Sequence, residues 1–80
     1  MTEQEILSRF TQLLRDLLAD ETIVLSMQTR RADVPGWDSF MYVNFIVAVE
    51  VELRIKFRVS DVESFRDVGD IVKEARRLLG

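Results

Sequence analysis

Residues 39–59 read SFMYVNFIVAVEVELRIKFRV, and the way this stretch folds decides the architecture of the whole chain. Two periods compete in it. Val49, Val51, Leu53, Ile55, Phe57 and Val59 alternate strictly with Glu50, Glu52, Arg54, Lys56 and Arg58. That is the pattern of a half-buried strand, whose side chains point to opposite faces in turn. A strand needs a partner, however, and elsewhere only Ile23 to Leu25 looks even briefly extended, so a strand here leaves a long unpaired edge. The competing reading starts a helix at Ser39 and runs it to about Leu53. Such a helix is apolar nearly all round, through Phe40, Val43, Ile46, Val47 and Val49, as a central bundle helix would be. Local pattern leaves both readings open.

The flanking segments are clearer. Thr2 and Glu5 have the spacing of a capping box, and Ile6, Phe10, Leu13, Leu14, Leu17 and Leu18 follow in steps of three and four, which predicts a helix from about 3 to 19. At the other end Asp67 can cap a helix with Val68, Ile71, Val72, Ala75, Leu78 and Leu79 on its apolar stripe and Lys73, Arg76 and Arg77 near its negative end. Residues 60–64 suit one short capped turn. Between Ala19 and Asp38 lies a long loop that closes on Val34-Pro35-Gly36-Trp37-Asp38, where Pro and Gly mark a turn. A loop of that length in a small domain is often functional, provided Ile23, Val24 and Leu25 tie it to the core. Phe45, Ile46, Val49, Val62, Phe65 and Ile71 are further core candidates.

Composition narrows the chemistry. Eighty residues leave room for one domain, and with no Cys and no His neither disulfides nor thiolate or imidazole zinc sites can staple it. The same absences remove Cys–His and Ser–His nucleophiles and any imidazole proton shuttle. A net charge of −3 argues against nucleic-acid binding, and all of that excess lies in residues 1–40. The apolar runs are too short to span a membrane, and residues 1–5 lack the basic start of a signal peptide, so the expectation is a cytoplasmic monomer without membrane insertion.

One constellation carries functional content. Asp38-Ser39-Phe40 follows the Pro-Gly turn, so a helix beginning there places Ser39 beside free backbone amides, where a phosphate meets donors and a favourable dipole. Asp38 or Ser39 can equally serve as a plain helix cap. Ser39 is not a turnover nucleophile, because no His stands by as base and no Ser-x-x-Lys pattern follows it.

Gly36-Trp37-Asp38-Ser39-Phe40, the apolar run through Val43, Phe45, Ile46 and Ala48, then Glu50, Glu52, Leu53, Ile55 and Phe57, resemble the acyl carrier protein signature. Asp61, Phe65 and Asp67-Val68-Gly69-Asp70-Ile71 extend the resemblance over essentially the whole chain. It implies an all-α fold, an antiparallel four-helix bundle with a short third helix and a long loop between helices 1 and 2, with residues 1–80 as a single carrier domain. It also implies helix to about Leu53. Ser39 then receives 4′-phosphopantetheine from coenzyme A, flanked by Asp38, through a phosphopantetheinyl transferase. Acyl-loading and acyl-processing enzymes are the further partners, and the chain itself is no enzyme. A missing thiol fits that role, since the arm imports one.

Family members commonly present an acidic second helix to basic partners. Here Glu50 and Glu52 remain, but Asn44 and Val51 stand where acids are frequent, and residues 39–59 are net positive by one. The departure points away from housekeeping fatty-acid biosynthesis and towards a specialised fatty-acid or polyketide-type pathway of lipid metabolism. Phe40, Met41 and Tyr42 join Glu50 and Glu52 as candidate partner contacts, Trp37 extends that patch, and Trp37 and Tyr42 read equally as core or loop packing. An aminoacyl or peptidyl carrier of the nonribosomal-peptide type is the nearest alternative, and an unmodified helical interaction module is the rival from another class.

Overall fold

The competition in residues 39–59 resolves as helix. In the computed structural model, which describes residues 1–80, α1 spans Glu3–Leu18, α2 Ser39–Leu53, α3 Val59–Ser64 and α4 Val68–Leu79. One 3-10 turn, Arg31–Asp33, interrupts the loop between α1 and α2. Burial exposes the alternation after Val49 as a false strand signal. Val49, Leu53 and Phe57 are buried, four residues apart, whereas Val51 and Val59 are exposed and Ile55 is half-buried. A helix also satisfies its own backbone, which a lone strand cannot. It stops at Arg54, whose left-handed backbone (φ 56°, ψ 48°) turns its amide back to the Glu50 carbonyl.

α2 is not surrounded, contrary to the expectation for a central helix. Phe45, Ile46, Val49 and Leu53 face the core, while Phe40, Val43, Val47 and Val51 remain 51–74% exposed. Eighty residues do not supply enough chain to cover all sides of one helix. The core that does form is aromatic at its centre. Phe10 of α1 meets Phe45 edge-on at 5.4 Å between ring centroids, and Trp37 meets Phe45 at 5.2 Å. Such pairs add to the apolar burial that stabilises the fold. α1 packs against both α2 and α4, and Val68, Ile71, Val72 and Ala75 close the core from α4. Val62 and Phe65, read as core from the sequence, are half-buried at its edge.

The termini of the outer helices follow their sequence signals. Thr2 Oγ1 accepts from the Glu5 amide at 3.1 Å and Glu5 Oε1 accepts from the Thr2 amide at 2.8 Å, completing the capping box of α1. Asp67 caps α4 by accepting from the Asp70 amide at 2.9 Å.

The long loop is fastened at several points. Ile23 and Leu25 enter the core, but Val24 is 76% exposed, because consecutive side chains of an extended segment cannot all face the same way. Arg15 Nε donates to the Ile23 carbonyl at 2.7 Å. Farther on, the carbonyls of Thr29 and Met27 accept from the amides of Val68 and Gly69 at 2.9 and 2.8 Å. These loop carbonyls take up donors that the first turn of α4 cannot satisfy internally. Gly69 permits the approach, since a Cβ there would lie 2.6 Å from the Met27 oxygen. Gly36, at φ +85°, makes the turn that leads into α2.

Candidate functional site

Pinning the loop delivers Asp38 and Ser39 to the start of α2 in a defined arrangement. Asp38 is the cap: its backbone is extended, and its Oδ1 accepts from the Met41 amide at 2.9 Å. Ser39 is the first helical residue, exposed, and its hydroxyl makes no hydrogen bond within the chain. The cap, which the sequence left to either residue, therefore falls to Asp38. The carboxylate next to Ser39 in the chain is engaged as that cap and makes no hydrogen bond to its hydroxyl.

Ser39 borders an open groove of about 690 Å³ between the loop, α2 and α3. Tyr42, Val43, Val62 and Phe65 supply its apolar lining. Tyr42 is fixed there, its hydroxyl donating to the Val62 carbonyl at 2.8 Å, and burial raises its phenol pKa above the usual 10.0 against the opposing charge of Arg31. Arg30, Arg31 and Arg66 stand along the same groove, with the Arg31 guanidinium 5.4 Å from the centre of the Tyr42 ring.

The other candidate contacts divide. Phe40 is 73% exposed beside Ser39, and Val43, Val47 and Val51 continue from it along one face of α2, at helical spacing and without an intervening charge on that stripe. Met41 and Tyr42 are half-buried, and Trp37 is buried as a core residue, its indole N–H without a partner. Glu50 and Glu52 each act within the chain. Glu50 Oε2 accepts from the Phe57 amide at 2.8 Å, holding the segment that follows α2, and Glu52 pairs with Arg9 of α1 at 2.8 Å.

The valine stripe and the arginine groove escaped the sequence reading. The stripe's signal was the presence of apolar residues at more positions of α2 than one buried face can use. The groove joins Arg30 and Arg31 to Arg66, which is distant from them in sequence; its one local sign is the adjacent Arg30-Arg31 pair in the net acidic first half.

No helix of the chain is long and apolar enough to cross a membrane. No protein-family model matches the sequence. Among curated proteins it is similar to the acyl carrier protein of Clostridium perfringens, with the same figures in three strains: 34% identity over 64 residues, covering 75% of this chain and 84% of the relative. Among solved structures it is similar to a holo acyl carrier protein from Geobacter metallireducens determined by solution NMR. That match has a TM-score of 0.86 and 32% identity, and covers 92% of this chain and 85% of the other.

Proposed function

The chain belongs to the acyl carrier protein family, and from that premise we propose that Ser39 is joined through Oγ to 4′-phosphopantetheine from coenzyme A, so that acyl groups travel on the chain as thioesters. The observation that carries this reading is the division of labour at the start of α2. Asp38 performs the cap, which leaves the Ser39 hydroxyl exposed and unengaged. The residues fit the arm: an accessible oxygen, helix amides at its side, and an open groove for the chain that follows. The arm supplies the thiol that a chain without Cys lacks. Asp38 fixes the first turn, the pinned loop fixes the approach to it, and no residue of the chain is placed to catalyse a turnover. The 80 residues act as one carrier domain, and catalysis belongs to its partners, a phosphopantetheinyl transferase and acyl-loading and acyl-processing enzymes.

Those partners approach along α2, which begins at the attachment point. Its outward stripe of Phe40, Val43, Val47 and Val51 offers apolar contact, whereas Glu50 and Glu52 are occupied within the chain. Recognition by shape and apolar burial, with little charge steering, favours dedicated partners in a specialised fatty-acid or polyketide-type pathway.

Intact mass after incubation with coenzyme A and a broad-specificity phosphopantetheinyl transferase tests the attachment. One phosphopantetheine is expected on the native chain and none on Ser39→Ala. An unmodified native chain, or a modified Ser39→Ala variant, refutes the assignment.

A further inference from the structure

The chain is net −3, yet the groove beside Ser39 gathers Arg30 and Arg31 from the loop and Arg66 from the turn before α4, with Glu63 as its only acid. Arg66 is already paired, its Nε and Nη2 donating to the Asp70 carboxylate at 3.1 and 3.4 Å. Arg30 and Arg31 are in none of the chain's ion pairs. With the Arg66–Asp70 pair neutral, these two arginines against Glu63 leave the groove one positive charge in excess. Arg31 is also held in place, because its guanidinium lies over a Tyr42 ring whose hydroxyl is tied to Val62. Cations concentrated in a cleft on an acidic chain focus the field at that point.

We propose that this groove is an anion site in which Arg30 and Arg31 hold the phosphate of the group joined to Ser39, laying the arm along the wall made by Tyr42, Val62 and Phe65. The inference rests on Ser39 being the attachment serine. Because Ser39 itself borders the groove, a phosphodiester on its oxygen is delivered there by the covalent bond, and its single negative charge matches the single positive excess. Its two unesterified oxygens suit the planar donor fork of a guanidinium. A carboxylate on the cargo presents similar oxygens, but it arrives at the far end of a flexible arm and nothing in the groove fixes it.

The test uses the full chain, apo and holo, with intact mass confirming the modification first. In the native protein, conversion from apo to holo is expected to shift the side-chain Nε–H signals of Arg30 and Arg31 and the Tyr42 ring signals. The phosphorus NMR signal of the holo form should differ from that of the same protein unfolded in urea. In a holo Arg30→Gln/Arg31→Gln variant the phosphorus signal should lose most of that difference. Arg54→Gln/Lys56→Gln, an equal loss of charge beyond the other end of α2, should leave it in place.

Mass-verified holo protein with unmoved arginine signals, or with the same phosphorus signal in native and double-variant forms, overturns the proposal. So do arginine signals that move only after loading with malonyl and not in the unloaded holo form, which would assign the site to a cargo carboxylate. The native apo-to-holo comparison does not depend on the variants folding. Failure to add phosphopantetheine would be a different result, refuting the attachment reading and this inference with it.

Discussion

Replacing Gly69 with Ala tests whether the clasp between the long loop and α4 shapes the fold. In an ordinary helix interior the change is favourable by about 1 kcal/mol, because Ala loses less backbone entropy on folding than Gly. Here the sign should reverse. The new Cβ would lie 2.6 Å from the Met27 carbonyl oxygen and 3.2 Å from Asp67 Oδ1, so the loop must retreat by most of an ångström. Overpacking of that kind costs about 1–3 kcal/mol. The retreat also strains the Gly69–Met27 and Val68–Thr29 backbone hydrogen bonds, each worth about 1 kcal/mol. Set against the helix-propensity gain, the net loss is about 2 kcal/mol, which in a domain this small lowers Tm by roughly 10 °C. Thermal melting by far-ultraviolet circular dichroism and urea denaturation should agree on that loss. Hydrogen exchange should quicken first at the amides of residues 68 and 69. A Tm equal to or above that of the native chain would refute the reasoning.

Two further outcomes are expected. Tyr42 is the only tyrosine, so phenolate absorbance reports it alone, and the midpoint should lie above 10.0 because burial disfavours the charged form. Its folded pKa is raised, so this contribution to stability is full below the unfolded value near 10 and fades as pH rises through the folded value; Tyr42→Phe should remove that alkaline loss, and a midpoint at or below 10 would contradict the packing described. On α2, Val47→Asp should lower kcat/KM of the native loading enzyme for the holo carrier about tenfold by placing a charge in an apolar contact, while moderate salt changes the native value little. A strong salt dependence with an unaffected Val47→Asp variant would show that charge, not the valine stripe, guides docking.

How far the fold was legible depended on whether apolar residues were core residues. In α1 and α4 they were, and caps and period agreed, so both helices could be read directly. In residues 49–59 they were not: Val51 and Val59 are apolar and exposed, which filled the gaps in a four-residue burial pattern and imitated a strand. The resemblance over the whole chain, not the local pattern, pointed to helix. The place of Ser39 at the start of α2 was legible from its register, but the freedom of its hydroxyl was not, since the choice of cap depends on backbone geometry that places the Asp38 carboxylate on the Met41 amide. Glu50 and Glu52 were read as contacts for a partner because the groups they meet within the chain, the Phe57 amide and Arg9, are set by tertiary structure. The arginine groove was illegible for the same reason, its members meeting only once loop, α2 and α3 are assembled.

The clasp also sets an order of events during synthesis. Met27 and Thr29 precede Ser39, but the amides that hold their carbonyls belong to residues 68 and 69. While the chain is being made, the loop therefore lacks this one of its fastenings until the first turn of α4 has left the ribosome and folded. The corner ahead of Ser39 is therefore fully fastened only after residues 68 and 69 have been made, some thirty residues later in synthesis. The glycine that lets helix and loop touch thus makes the fastening of the loop ahead of α2 depend on the formation of α4.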